Sequence, residues 1–132
     1  MIAIPSSHID LLDRPVVVTL VTVMPDGQPQ ATPVWIDTKD GVLRVNTVAG
    51  RQKHTNLQER PMATVLAIDP DDPMRWMEIR GKVVWESEGD ERTLIDKLAH
   101  DYLGEEIYPW HNDSDRRVTF HIEPERVVTS GK

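Results

Sequence analysis

The sequence contains no cysteine, which excludes disulfides, thiolate metal ligands and cysteine nucleophiles. Because this absence suits a reducing compartment, we expect a cytoplasmic protein. No apolar run approaches the roughly 20 residues that a membrane-spanning helix needs, and polar residues interrupt the apolar stretches before Leu12. Neither a membrane span nor an export signal is therefore expected, and redox chemistry would depend on a bound cofactor.

Positive charge is also scarce, with 15 Lys and Arg against 22 Asp and Glu and a formal net charge of −7. Nucleic acid is therefore not an expected partner, because phosphate neutralisation needs clustered cations on a basic surface. Any anionic ligand must find a local basic patch. The 132 residues suffice for a single domain, residues 1–132, with one hydrophobic core.

Familiar catalytic motifs are missing as well. The sequence has no P-loop, no dinucleotide-binding glycine motif and no Gly-x-Ser-x-Gly elbow. The acidic residues gather in turns and before a helix, so no paired-carboxylate site is expected. No metal site is expected from the five histidines, which lack ligand spacing: His8, His54, His100, His111 and His121. No catalytic residue is predicted.

Hydrophobic periodicity predicts six strands and few helices, which favours a closed antiparallel β-barrel because closure removes exposed edges. The predicted strands are Val16 to Val23, Gln28 to Asp37, Val42 to Thr47, Met62 to Asp69, Met74 to Ser87 and Arg117 to Val128. A short, mostly exposed helix is predicted between Gly50 and Arg60, ended by Pro61. Helical spacing of apolar residues predicts a longer helix from Asp90 to Leu103.

The fifth predicted strand has two distinct faces. Alternation places one set together, namely Met77, Ile79, Gly81, Val83 and Trp85. The opposite face carries Trp76, Glu78, Arg80 and Lys82. A glycine in the middle of a strand indicates a bend or bulge, which barrel corners need.

A basic patch lies between Asn46 and Asn56, where a strand end delivers a hydroxyl, a glycine and two cations to the start of a helix. Phosphate binding needs this grouping: donors at a helix N-terminus, close backbone approach and positive charge. The patch stands out because the chain is otherwise acidic. A solvated loop with a helix cap is the alternative interpretation.

Three further features are compatible with a ligand. Pro33 lies within a predicted strand and must sit at an edge or a bulge, which leaves neighbouring backbone groups for a ligand or simply for solvent. Arg116 and Arg117 can reach an anion, or they can remain solvated or salt-bridged. A flat ligand can stack on a tryptophan, although core or dimer packing is the commoner role; the candidates are Trp35, Trp76, Trp85 and Trp110.

Four separate motifs occur in a definite order and spacing. They are Asp26 to Trp35, then Val45 to Thr47 with Gly50 to Lys53 and Asn56-Leu57, then Arg60-Pro61 and Glu78 to Val83, and finally Asp115 to Val118. Together they resemble the pyridoxamine 5'-phosphate oxidase-like split-barrel superfamily, specifically its small deazaflavin (coenzyme F420)-dependent reductase class without a long N-terminal extension. The resemblance covers most of the chain. It implies a mainly β fold, the six-stranded FMN-binding split barrel with flanking helices, and a homodimer with the cofactor groove at its interface.

The resemblance also implies roles for individual residues. Thr47, Arg51 and Lys53 would hold the cofactor phosphate, and the backbone from Gln30 to Trp35 would line the flavin-like ring. Arg116 and Arg117 would meet the ring edge or the acidic tail. The complete set of candidate cofactor-binding residues is Gln30, Thr32, Pro33, Val34, Trp35, Asn46, Thr47, Gly50, Arg51, Lys53, Asn56, Trp76, Arg116 and Arg117.

Three functional hypotheses follow from the resemblance. In the first, an F420-dependent oxidoreductase passes a hydride from reduced F420 to an electron-poor small-molecule acceptor, such as an enone, a quinone or a tetrapyrrole. In the second, FMN replaces F420 in an oxidase or reductase. In the third, the protein carries a cofactor or a haem-like pigment without turnover. Pyridoxamine phosphate oxidase itself is a poorer match, because it is longer and has a C-terminal substrate motif that this sequence lacks.

Overall fold

A computed structural model of the protein describes residues 1–88 and 91–132. In these residues seven strands form one antiparallel sheet: β1 Val18–Val23, β2 Pro29–Val34, β3 Asp37–Lys39, β4 Val42–Val48, β5 Met62–Asp69, β6 Asp72–Ser87 and β7 Arg117–Ser130. The helices are α1 Asp10–Asp13, α2 Gln52–Glu59 and α3 Glu91–Leu103. Asp90, with which the predicted long helix begins, lies outside the described residues.

The strand order is β2-β1-β5-β6-β7-β4-β3, so the first and last strands of the sheet are consecutive in the chain. Only Trp35 and Ile36 separate β2 from β3, which brings the two ends of the sheet together. One face of the curved sheet is apolar and forms the core. Its fully buried members include Leu20, Leu43, Val45, Met77, Ile79, Phe120 and Ile122.

The prediction of six strands was wrong by one, because the predicted strand Gln28 to Asp37 is broken at Trp35 and Ile36. The Ile36 N–H donates to the Tyr102 hydroxyl (3.1 Å), which donates to the Val16 carbonyl (2.9 Å). A side chain of α3 therefore satisfies backbone groups where β2 and β3 separate. The strand β1 begins at Val18 rather than at the predicted Val16, whose N–H donates to the Arg14 carbonyl (2.7 Å) instead of to a neighbouring strand.

The long strand β6 has the predicted bulge at Gly81, but Trp85 does not share the buried face of Met77 and Ile79 as predicted. The register with β7 shifts between Arg80 and Gly81, so the bulge expected at the glycine is present. A second shift between Val83 and Trp85 was not predicted. This bulge turns Trp85 away from the core. Its side chain is 60% exposed and stacks on His121, with 4.4 Å between ring centroids.

The helix α2 is not mostly exposed, contrary to the prediction. Asn56 and Leu57 are buried, as is His54. The Asn56 side-chain amide donates to the Thr22 hydroxyl (3.0 Å) and to the Gln30 carbonyl oxygen (3.3 Å). Because the polar atoms have partners, a polar helix can pack closely on β1 and β2. In the described part of the chain, no helix is long and apolar enough to cross a bilayer.

Candidate functional site

A cleft of about 370 Å³ lies where the end of β2, the corner between β4 and α2, and the helix α3 meet. The segment before β7 supplies a further wall. The lining residues are Val17, Pro33, Val34, Trp35, Asn46, Arg51, Lys53, Ile95, Leu98, Tyr108, Trp110 and Arg117. The cleft thus combines a basic corner with an aromatic and aliphatic wall.

The basic corner is formed by a tight turn that leads into α2. The Arg51 N–H donates to the Val48 carbonyl (3.2 Å), and Gly50 in this turn has a φ of 94°, which favours glycine. The helix begins at Gln52, and its N-cap residue Arg51 makes no side-chain capping hydrogen bond. The first-turn amides, including that of Lys53, have no acceptor within the helix. Such amides, together with the helix dipole, favour an anion.

Three cationic side chains line the cleft: Arg51, Lys53 and Arg117. Burial lowers the pKa of Lys53, and the neighbouring charges of Arg51 and Arg117 lower it further. No carboxylate in residues 1–88 or 92–132 forms an ion pair with any of the three. A bound anion would relieve the mutual repulsion of these groups.

Arg117 is held in place by neutral groups on two sides. Its guanidinium donates to the Asn46 side-chain oxygen (3.1 Å), while Asn46 donates to the Thr119 hydroxyl (3.1 Å). The guanidinium carbon also lies 4.9 Å from the centre of the Tyr108 ring. Because Arg117 is only 9% exposed, its side chain is fixed before any ligand binds.

An aromatic chain forms a second wall of the cleft. Trp35 stacks on Tyr102 at 5.3 Å and meets Tyr108 edge to face at 6.0 Å. Tyr108 in turn contacts Trp110 at 5.6 Å. Burial raises the pKa of Tyr102, so its hydroxyl stays protonated as a donor. This wall presents ring faces and edges to a flat ligand.

The structure brings half of the predicted site residues into the cleft: Pro33, Val34, Trp35, Asn46, Arg51, Lys53 and Arg117. Pro33 lies in β2, which is the first strand of the sheet and pairs, among the described residues, only with β1. Of the two positions predicted for this proline, an edge or a bulge, the structure shows the edge. Gly50 does not line the cleft but shapes the turn that carries Arg51.

Other predicted residues lie elsewhere. Gln30 and Asn56 belong to the buried network beneath α2, and the half-buried Thr32 lies opposite Leu20 without lining the cleft. Thr47 lies on the buried face of β4, where its hydroxyl has no partner among the described residues.

Two predicted residues lie on other surfaces. Trp76 lines a separate groove beside Leu66 and Ile68. Arg116 points to Glu88, with which it forms an ion pair.

Five lining residues were absent from the predicted cofactor-binding set: Val17, Ile95, Leu98, Tyr108 and Trp110. Of these, Trp110 had been considered only as one of four tryptophans on which a flat ligand can stack. Ile95 and Leu98 contributed to the sequence prediction only through the helical spacing of the apolar residues in α3. Tyr108 and Trp110 lie in an irregular segment, where closely spaced aromatic residues were the only available signal. The described residues contain no cluster of three or more His, Asp or Glu that could hold a metal ion.

Comparisons with known proteins agree with this fold. An F420 reductase is 31% identical, with a TM-score of 0.86, over 95% of this chain and 98% of that one. HutZ, the haem storage protein from Vibrio cholerae, is 15% identical over 98% and 96% of the two chains, with a TM-score of 0.73. A pyridoxamine 5'-phosphate oxidase-like protein from Listeria innocua is 20% identical over 93% and 94%, with a TM-score of 0.65. The latter two show the fold alone.

No protein of curated function matches the sequence significantly. The family described as pyridoxamine 5'-phosphate oxidase matches residues 5–131. That match spans nearly the whole chain and both walls of the cleft. The chain belongs to the pyridoxamine 5'-phosphate oxidase family, whose split β-barrel it adopts with seven strands.

Proposed function

We propose that the protein binds the deazaflavin coenzyme F420 in the cleft and reduces an electron-poor small molecule with it. The observation that carries the proposal is the convergence of Arg51, Lys53 and Arg117 beside an aromatic wall. The likeness to an F420 reductase at 31% identity supports the choice of cofactor. A cytoplasmic location is part of the proposal.

The donor set fits the phosphate of such a cofactor. Two guanidinium groups and one ammonium group face the cleft without a carboxylate partner among the described residues, and the first-turn amides of α2 add neutral donors. Arg51 and Lys53 would hold the phosphate, and Arg117 would hold the ring edge or the acidic tail.

The other wall fits the ring system. Pro33 lines the cleft and lies on a strand whose only partner among the described residues is β1, so the backbone on the other side of β2 would be available to the ring. Trp35, Tyr108 and Trp110 offer aromatic contacts to a planar ring. When bound, the reduced cofactor supplies the hydride. The protein's residues bind and orient it, and the apolar wall excludes water.

FMN is the second candidate ligand. The three cations surround one corner of the cleft, which suffices for the single phosphate of FMN, and the family match supports a flavin-type ligand in general. F420 carries an oligoglutamate tail beyond its phosphate and needs more positive charge. Arg116 is exposed next to Arg117 and would serve that tail after breaking its ion pair with Glu88.

A homodimer with the cleft at the subunit interface completes the proposal. Apolar side chains near the mouth of the cleft support it, because Val17 is 55% exposed and Trp110 is 63% exposed. Sedimentation of the purified protein measures the mass directly. A monomer at all concentrations would contradict this part of the proposal.

Cofactor titration tests the central claim. We expect the fluorescence of F420 to change on addition of the purified protein, with tighter binding than for FMN. Reduced F420 is then mixed with enones, quinones and tetrapyrroles, and its reoxidation is followed by absorbance. Preferential binding of FMN would overturn the choice of cofactor. Tight binding of F420 without turnover of any acceptor would favour a carrier.

A further inference from the structure

His54 is a buried histidine directly behind the basic corner, and its two ring nitrogens have different partners. It is the third residue of α2 and is 5% exposed. On one side its ring packs against Phe120, with 5.8 Å between ring centroids. The imidazole is therefore fixed between the helix and the strand β7.

The tautomer of this imidazole follows from its hydrogen bonds. The Gly50 N–H donates to His54 Nδ1 (3.1 Å), so Nδ1 must be the unprotonated acceptor. The proton of the neutral ring is then on Nε2, which lies 3.3 Å from Glu86 Oε2. The Gln58 amide donates to both oxygens of Glu86 (3.0 and 3.3 Å) and holds that carboxylate in place.

We propose that His54 is a positioning residue for the anion-binding turn, an inference that rests on the proposed function. In a capping box, a Glu or Gln at the third helical position accepts the backbone N–H of the N-cap residue. His54 occupies the third helical position but accepts the N–H of Gly50, the residue before the N-cap residue Arg51, which makes no side-chain capping hydrogen bond of its own. By holding the Gly50 amide, it fixes the positive φ of Gly50 and thereby directs the backbone of Arg51 towards the cleft.

The hydrogen bond from the Gly50 N–H to His54 Nδ1 also determines which backbone amides remain for the ligand. With the Gly50 N–H occupied by His54 and the Arg51 N–H by Val48, the free donors at this corner are the first-turn amides of α2. His54 thus determines which backbone donors meet an anion. It does so without lining the cleft itself.

Two variants separate an acceptor role from simple packing. His54→Gln retains a side-chain acceptor of the kind found in capping boxes, whereas His54→Leu fills space without one. With F420 and FMN as probes, we expect His54→Leu to weaken binding roughly fivefold, the effect of a lost cap, and His54→Gln to restore most of it. Circular dichroism checks that both variants are folded.

Nitrogen-15 NMR of the unsubstituted protein gives an independent readout without any ligand. We expect His54 Nδ1 to resonate as an unprotonated nitrogen and Nε2 as a protonated one. We also expect the Gly50 amide to exchange slowly with solvent, and to exchange faster in His54→Leu. A protonated Nδ1 in the neutral ring would overturn the inference even if His54→Leu failed to fold.

The companion variant Lys53→Ala distinguishes this inference from the proposed function. Weak binding by Lys53→Ala with unchanged binding by His54→Leu would remove His54 from the site and leave the proposed function intact. Unchanged binding by Lys53→Ala would overturn the proposed phosphate site itself. The proposed function and the positioning role of His54 are both supported if Lys53→Ala and His54→Leu bind the cofactor weakly and His54→Gln restores binding.

Discussion

Arg117 lies over the face of the Tyr108 ring, with its guanidinium carbon 4.9 Å from the ring centre. The ring contact restrains a cation that has no carboxylate partner among the described residues. We expect Tyr108→Leu to weaken binding of F420 and FMN by roughly 0.5–2 kcal/mol, the range of a cation–π contact. Tyr108→Phe preserves the ring face and should bind nearly as well as the unsubstituted protein. Equal losses in both variants would assign the effect to the phenol hydroxyl instead.

Lys53 provides the most direct test of the phosphate site. We expect Lys53→Ala to weaken cofactor binding by about 1–3 kcal/mol, as for the loss of a charged hydrogen bond. Lys53→Arg should be less harmful, although a planar guanidinium is not equivalent to an ammonium. Fluorescence titration measures all three affinities. Lys82 lies on β6 and does not line the cleft, so Lys82→Ala should bind the cofactor with normal affinity. Weaker cofactor binding by Lys82→Ala would indicate a general effect of net charge.

Alkaline pH should weaken binding through the same lysine. The pKa of Lys53 is lowered from its ordinary value of 10.5, first by burial and then by the charges of Arg51 and Arg117. Anion binding favours the protonated form, so affinity is full below the pKa of the free protein. It is lost as the pH rises through that pKa, which lies below 10.5. Lys53→Arg should flatten this decline, because the guanidinium stays charged. An equally steep decline in Lys53→Arg would exclude Lys53 as its source.

The basic corner could be predicted from the sequence because its parts are close together in the chain. Arg51 and Lys53 follow one strand and begin one helix, so local geometry alone keeps them together. Tyr108 and Trp110 reach the same cleft only through the packing of α3 and the segment after it. No local pattern encodes such a long-range contact, and for this reason Tyr108 and Trp110 were absent from the predicted cofactor-binding set.

The errors in the predicted fold also come from contacts between residues that are distant in the sequence. The break between β2 and β3 depends on the hydroxyl of Tyr102, which is 66 residues away from Ile36 in the sequence. The burial of Asn56 depends on partners in β1 and β2. Alternation of apolar and polar residues describes the faces of a strand, but it does not show where a distant side chain satisfies a backbone group or a buried amide.

Gly81 lets β6 approach β7 closely, because no side chain stands between the two backbones. A Cβ at this position would lie 2.6 Å from the carbonyl oxygen of Glu123 and 2.8 Å from Ile122 Cγ2. The close atoms include backbone, which cannot rotate away, so we expect Gly81→Ala to lower the free energy of unfolding by roughly 1–3 kcal/mol. Ala63→Gly, opposite Gly81 on β5, should not rescue it, because the clash is with β7. Urea denaturation measures the stability of Gly81→Ala and of the double variant with Ala63→Gly. A double variant as stable as the unsubstituted protein would show that the strain lies between β5 and β6.

Acid should destabilise the protein through the ion pairs that join α1 to the β5–β6 turn. Arg75 contacts Asp10 at 2.5 Å and Asp69 at 2.9 Å. The hydrogen bond from Arg75 lowers the pKa of Asp10 below its ordinary value of 3.8. The pKa of Asp69 is lowered from the same value, first by the hydrogen bond from the Asp71 backbone N–H and then by the hydrogen bond from Arg75.

A carboxylate whose pKa is lower in the folded state stabilises the fold fully above its unfolded value, and this stabilisation is lost as the pH falls through the folded value. We therefore expect the urea midpoint to hold above pH 3.8 and to fall below it. Asp69→Asn should be less stable at neutral pH and should show a shallower acid decline, because one of the titrating groups is gone. Asp40→Asn, at an exposed turn position, is the matched control and should behave like the unsubstituted protein. An unchanged acid decline in Asp69→Asn would show that the Arg75 cluster is not the group that acid disrupts.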